Sequence, residues 1–342
     1  MKLRLKLNNN NDVYYNCNKF YSYDAFMGMI DGGRGIGKTT TFEIKGIQIN
    51  NKGGEWIYLR RYKPEIKKFV TKDSLSKVID GVVYKGDGAG GYTVLVEDQI
   101  LGYCIALSTA RSYKSVDFSK VELIIFDEAF VKKSSSYRYL DDEVITLLEF
   151  ISTVQRTRTN LRVVILSNNE DQFNPYANFF DLPIFETLYY DKDRKLYCEH
   201  AKNSPKLMEL EKKTGLFALI KGTAYADYHY DNKVLNNEKD VNIISKPPNA
   251  KLVYRVILYK QTLNVYTYYD KEEQYMYCEN KRKIINDNIT YDILQNGRTN
   301  YLHVNTFKKK LLNFTYRFYF NKKASYSSER AYAMMSWLME EM

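Results

Sequence analysis

Cysteine and histidine are scarce in this chain of 342 residues. The four cysteines (Cys17, Cys104, Cys198, Cys278) form no C-x-x-C pair, and the three histidines (His200, His229, His303) are scattered. That spacing excludes a zinc module and a disulfide framework, and fits reduced thiols in a cytoplasm. Long apolar runs are also missing. None approaches the roughly 18 residues of a membrane-spanning helix, so no membrane partner is expected. The N-terminal "MKLRLKLNNNNDVYYN" holds no apolar core of signal-peptide length. Acid is in deficit: 41 Asp and Glu against 51 Lys and Arg leave a net charge of +10. This suggests an anionic partner, with a generically basic protein as the alternative. The 32 tyrosines support no chemistry, since an AT-rich coding sequence produces the same bias. The length suggests two domains.

Against these absences stands one concentration of glycine, "DGGRGIGKTTTFEIKGIQI" from Asp31 to Ile49. Gly32, Gly37, Lys38 and Thr39 satisfy G-x-x-x-x-G-K-[ST]. An apolar run, "DAFMGMI", precedes the loop, and Phe42, Ile44 and Ile47 follow at helical spacing. Strand, glycine loop and helix form the context in which backbone amides and a helix N-terminus cradle phosphate. The expected phosphate cradle runs through Gly32, Gly33, Arg34, Gly35, Ile36, Gly37, Lys38, Thr39 and Thr40. Lys38 can reach the β- and γ-phosphates of ATP, and the Thr39 hydroxyl can ligate Mg²⁺.

A metal carboxylate and a base complete such a site. "VELIIFDEAF" places Asp127 and Glu128 at the C-terminal end of a buried strand, where α/β sheets hold ligands. Asp127 is expected to hold Mg²⁺ and Glu128 to activate water. An adjacent Asp-Glu points to the P-loop branch with a catalytic glutamate, in which an extra strand separates the P-loop and Asp-Glu strands. "VVILSNN" ends a further strand at Ser167 and Asn168, and Asn168 can sense the γ-phosphate. "STVQRTRTN" puts Arg156 and Arg158 just past a helix, not easily in reach of their own γ-phosphate but able to act on a neighbour's as a finger, a role expected of only one of the two; solvated arginines matching the helix dipole are the alternative. The run "IYLRRYKPEIKK" packs Arg60, Arg61, Lys63, Lys67 and Lys68 at a strand end. It suits an anionic polymer, a neighbouring subunit's nucleotide, or a solvated basic face. Tyr23 is a guess for a residue that stacks on adenine.

Residues 1–200 alternate short apolar runs with helical patterns, an α/β unit with a mostly parallel sheet. Strands are expected at 56–60, 92–96, 102–107, 122–127 and 162–168, and a helix over 140–156. "GDGAGGY" (86–92) is expected to be a hairpin turn. Residues 201–249 look like a linker with a short charged helix. Residues 250–342 carry β-rich alternation and a C-terminal helix, a smaller α+β domain. Asp270, Glu272, Glu273, Glu279, Asp287 and Asp292 form no compelling cluster for two-metal nuclease chemistry. The "KRK" (281–283) and "KKK" (308–310) runs, interleaved with Tyr291, Tyr301, Phe307, Phe314, Tyr316 and Phe318, suit nucleic-acid or portal binding, or a solvated surface.

Taken in order, "GGRGIGKT", "WIYLRRYKPE", "IIFDEAF", "STVQRTR", "LSN" and "NPY" make the chain resemble the genome-packaging ATPases of small protein-primed podophages. Weaker likeness continues through "LIKGTAYADYHYDN" and "KLVYRVILYKQTLNVY". The resemblance implies an ASCE P-loop ATPase with a C-terminal RNase H-like domain that has lost its nuclease carboxylates. It implies a homopentameric ring on the portal of a prohead, in the host bacterial cytoplasm, driving double-stranded DNA inward, with a structural packaging RNA as a further partner. It assigns the P-loop lysine to Lys38, the Walker B pair to Asp127 and Glu128, and the trans finger to Arg156. It gives trans-acting or DNA-contacting roles to Arg60 and Lys63. Two alternatives stay open: a terminase-like ATPase with a live C-terminal nuclease, and a nucleotide-dependent assembly protein with incidental ATPase. No additional helicase motif recommends a helicase or AAA+ remodeller.

Overall fold

A computed structural model describes residues 3–6, 13–131, 138–168, 174–183, 187–223, 241–258, 261–284, 289–292 and 311–341. In chain order the elements are α1 (Asn18–Ser22), β1 (Met27–Gly32), α2 (Lys38–Asn50), β2 (Glu55–Arg60), α3 (Lys63–Thr71), β3 (Val82–Gly86), β4 (Tyr92–Val96) and β5 (Gln99–Ala106). There follow β6 (Val121–Phe126), α4 (Glu143–Gln155), β7 (Arg162–Leu166), α5 (Pro175–Phe179), β8 (Leu188–Asp191), β9 (Leu196–Ala201), α6 (Pro205–Glu211) and α7 (Gly215–Ile220). The rest are β10 (Lys251–Leu258), β11 (Gln261–Asp270), β12 (Glu273–Lys281), β13 (Thr290–Asp292), α8 (Leu312–Phe320), β14 (Ala324–Tyr326) and α9 (Glu329–Glu341).

The chain divides into two compact units, Met1–Asp171 with Phe185–Asn236, and Gln172–Ile184 with Asn237–Met342. The first is built on a nine-stranded sheet of order β3-β4-β5-β2-β6-β7-β1-β9-β8. From β5 through β9 every pairing is parallel, while β3, β4 and β8 add antiparallel edges. β1 is buried at all six positions and β6 at five of six. Strands covered on both faces need continuous apolar runs, which "MGMI" and "VELIIF" supply. The β3–β4 hairpin turns through 87–91, where Asp87 accepts hydrogen bonds from the amides of Ala89 and Gly91. All five expected strands form, with ends shifted by a few residues, and α4 forms within the expected helix. β7 lies between β1 and β6, so the extra strand separates the P-loop strand from the Asp-Glu strand. The segment 201–249 is shared out: α6 and α7 lie in the first unit and 241–249 in the second.

The second unit carries a five-stranded sheet of order β13-β10-β11-β12-β14. β10, β11 and β12 form an antiparallel meander, with β13 parallel to β10 and β14 parallel to β12. Its core joins Tyr254, Val256, Val265 and Cys278 to Met334, Met335 and Leu338 of α9. The aromatics considered for nucleic-acid contact serve this core instead: Phe318 and Tyr291 are buried, and Phe314 and Tyr316 pack against the cluster. Tyr301, Phe307, Lys308, Lys309 and Lys310 lie outside the described residues.

Candidate active site

Parallel register brings the sequence motifs to one sheet edge. Ile30 of β1 pairs with Leu166 of β7, and Ile165 of β7 with Phe126 of β6. The chain ends that follow are pinned across strands. Ser167 N donates to Ile30 O at 3.0 Å, Ala129 N to Leu166 O at 3.0 Å, and Asp127 N to Leu59 O at 3.0 Å. The P-loop, Asp127, Glu128, Asn168 and Arg60 therefore meet at the C-terminal edge of the sheet.

Three glycines of the loop, Gly32, Gly35 and Gly37, have the left-handed φ that other residues adopt only with strain. Gly32 has φ +150°, and a Cβ there would fall 2.3 Å from the Ala201 carbonyl oxygen. Gly37 has φ +92° and stands just ahead of α2, whose first residue is Lys38. Gly33 and Ile36 are buried, Arg34 and Gly35 are exposed, and Thr39 and Thr40 are half-buried. The helix start leaves amide donors without intrahelical partners, facing the loop.

Lys38 is 6% exposed, and its ammonium donates to the carbonyls of Gly32 and Gly33, each at 2.8 Å. Burial pulls its pKa down to about 8, with the charges of Asp31 and Asp127 pulling the other way. The Thr39 hydroxyl donates to Asp127 Oδ1 at 3.1 Å. The other oxygen, Oδ2, accepts from the Tyr58 hydroxyl at 2.8 Å and faces an Arg60 nitrogen at 3.3 Å. Burial, and then the Asp127 charge, hold the Tyr58 phenol well above its ordinary pKa, so it remains a donor. A hydroxyl and a carboxylate converging at strand and helix ends are the hard oxygen donors Mg²⁺ takes. These residues fit that ion.

Glu128 has φ +51° and is 55% exposed, and its carboxylate receives Arg60 at 2.5 Å. Arg60 thus spans both acidic residues of its own chain, with Glu65 at 3.7 Å. Burial opposes its charge, but Tyr58, Asp127, Glu128 and Glu65 outweigh burial and raise its pKa. Within this chain the Arg60 guanidinium lies in cis, on Asp127 and Glu128. Arg61 is also turned inward. It meets Glu143 at 2.5 Å and bonds the Ala129 carbonyl, tying the loop after Glu128 to the start of α4. Lys63 is exposed at the start of α3.

Arg156 and Arg158 lie at the far edge of the sheet. Arg158 donates to the carbonyls of Val121 (2.6 Å), Phe118 (3.0 Å) and Val154 (2.5 Å). Val121 opens β6, whose six residues span roughly 20 Å before Asp127. Bonded to three carbonyls, Arg158 serves as a strut of its own fold. Arg156 is exposed, at φ +50°, just past α4. Asn168 is half-buried after β7. Tyr23 packs its ring against Tyr190 (4.9 Å) and Tyr197 (5.3 Å), so it is unsuited to hold a base.

Sequence reasoning passed over two features. Tyr58 was legible from alternation, since positions 58 and 60 share a strand face. The hydrogen bond between Asp31 and His200 was not, because it depends on β1 pairing with β9 across 169 residues.

In the second unit, Glu273 pairs with Lys323 and Glu279 with Lys281, while Glu272 sits in the β11–β12 turn. Asp292 is buried on β13. Among the described residues no group of three His, Cys, Asp or Glu could hold a metal ion. Asp287 lies outside them.

The central parallel sheet with its inserted strand, and the loop, lysine and acidic pair on its edge, define a P-loop ATPase fold. The sequence profile of the podovirus DNA encapsidation proteins (Gp16) matches residues 9–325, and the chain belongs to that family. A DNA packaging protein of Bacillus phage B103 is 30% identical over 281 residues, covering 81% of this chain and 85% of the relative. That of Bacillus phage phi29 is 31% identical over 274 residues, covering 78% and 79%. The chain superposes on a subunit of the bacteriophage phi29 genome packaging motor assembly with a TM-score of 0.63. That match spans 96% of this chain and 99% of the other at 24% identity, a likeness of fold.

Proposed function

We propose that this chain hydrolyses ATP to drive double-stranded DNA into a viral prohead, as one subunit of a homo-oligomeric ring. The observation that carries the reading is the convergence of Lys38, Thr39, Asp127 and Glu128 on one sheet edge, with Thr39 and Asp127 3.1 Å apart. Lys38 leaves the Gly32 and Gly33 carbonyls for the β- and γ-phosphates, and the loop amides hold the rest. Thr39 and Asp127 would hold Mg²⁺, which would supply charge neutralisation for the phosphates. Tyr58 orients Asp127. Glu128, positioned by Arg60, accepts the proton of the attacking water. Asn168 lies beside them to sense the γ-phosphate. Arg156, exposed just past α4, acts on the next subunit's nucleotide.

The family resemblance supports five subunits seated on a portal, working in the host cytoplasm, with a structural RNA as a further partner. The net charge of +10 suits a polyanion gripped through its phosphates, which are the same in any sequence. The C-terminal unit is read as the DNA- or portal-facing domain. The test is ATP binding and turnover by Glu128→Gln. Binding is expected to persist while turnover falls by about 10² or more. Turnover at the parent rate would remove Glu128 from its role.

A further inference from the structure

The short segment ahead of α1 is fastened over the P-loop. Tyr15 N donates to Ile36 O at 2.8 Å. The Tyr15 hydroxyl reaches Glu199 at 2.8 Å, and Glu199 also holds Tyr197 at 2.6 Å and Lys19 at 3.1 Å. On the other side, Ser204 donates to the Val13 carbonyl at 2.6 Å. Tyr14 lies between these anchors, beside Gly37. A Cβ on Gly37 would meet the Tyr14 Cβ at 3.0 Å and its ring carbons at 3.4 Å. Glycine at 37 thus serves the left-handed turn and leaves room for Tyr14. The ring itself is 50% exposed.

The flanking anchors hold this aromatic face, open to solvent, beside the phosphate loop. The other tyrosines of this neighbourhood are committed. Tyr15 is bonded to Glu199, Tyr23 is packed on Tyr190 and Tyr197, and Tyr58 is buried on Asp127. We propose that Tyr14 is the platform on which the base of the bound nucleoside triphosphate stacks. Every base has a π-face, so stacking adds affinity without reading base edges. The inference rests on the reading of the loop as an ATP site and adds to it the part of the ligand beyond the phosphates.

The test measures affinity calorimetrically for two probes, ATP and inorganic tripolyphosphate, in the full chain and in Tyr14→Ala, Tyr14→Phe and Lys38→Ala. Tyr14→Ala is expected to weaken ATP about tenfold and leave tripolyphosphate unchanged, while Tyr14→Phe keeps both. ATP affinity unaltered in Tyr14→Ala overturns the proposal. So does an equal loss for both probes, which would mean a distorted loop. Failure of the underlying ATP-site reading looks different: Lys38→Ala would then bind both probes like the parent.

Discussion

The pKa of Lys38, about 8 in the free chain, makes ATP affinity depend on pH in a window where few other groups change. The protonated ammonium binds phosphate, and a bound triphosphate holds it protonated to higher pH. Affinity is therefore complete below pH 8 and is lost as pH rises through 8. At pH 7.5 about three-quarters of free chains carry the charge, and at pH 9.5 about one in thirty, so affinity should fall about twenty-five-fold between them. Burial holds the thiols of Cys17, Cys104, Cys198 and Cys278 above their ordinary pKa and pushes the phenol of Tyr58 well up, so these stay out of the window. Glu43, raised by burial to about 7, titrates below it. The assay is equilibrium binding of ATP at constant ionic strength from pH 7.5 to 9.5. Lys38→Arg serves as control, because its charge does not titrate there. A flat profile for the parent, or the same slope in Lys38→Arg, would refute the reasoning.

Other consequences can be checked separately. Arg61→Ala strands the buried Glu143 carboxylate, which costs about 3–5 kcal/mol, and thermal melting should fall by about 10 °C; Arg61→Met with Glu143→Leu should recover much of it. Tyr58→Phe removes one donor from Asp127 and should raise the Mg²⁺ needed for half-maximal turnover several-fold with little change in melting, whereas an unchanged Mg²⁺ requirement would deny Tyr58 a part in orienting Asp127. Arg158→Ala should lower the melting temperature because the carbonyls of Phe118, Val121 and Val154 each lose one hydrogen bond, while Arg156→Ala should melt like the parent and lose turnover. Mixing Arg156→Ala with Lys38→Ala subunits should restore about a quarter of parental turnover, since half the loops are intact and half of those meet an intact finger. No recovery would place Arg156 outside the neighbour's site.

The nucleotide half of the fold was legible because its signals are local. Spacing alone marked Gly32, Lys38 and Thr39, and the run before Asp127 marked a buried strand end. What escaped depended on partners distant in the chain. Arg60 and Arg61 were visible as charge, but their acids lie 67 to 82 residues away, and adjacent strand residues face opposite ways. One therefore reaches the carboxylates of the site and the other the start of α4. β8 and β9 were missed because "LYYD" and "LYCEHA" are short and gain their meaning only beside β1. In α8, "NFTYRFYF" alternates like a strand over much of its length, yet it forms a helix that buries Thr315 and Phe318, three residues apart.

The central claim is that ATP turnover at this sheet edge moves DNA. The direct measurement is packaging of linear duplex DNA into purified portal-bearing proheads, scored as DNA protected from nuclease, with the parent chain or Glu128→Gln as the only packaging ATPase supplied. The account predicts ATP-dependent protection with the parent and none with Glu128→Gln. Equal protection with both would contradict it.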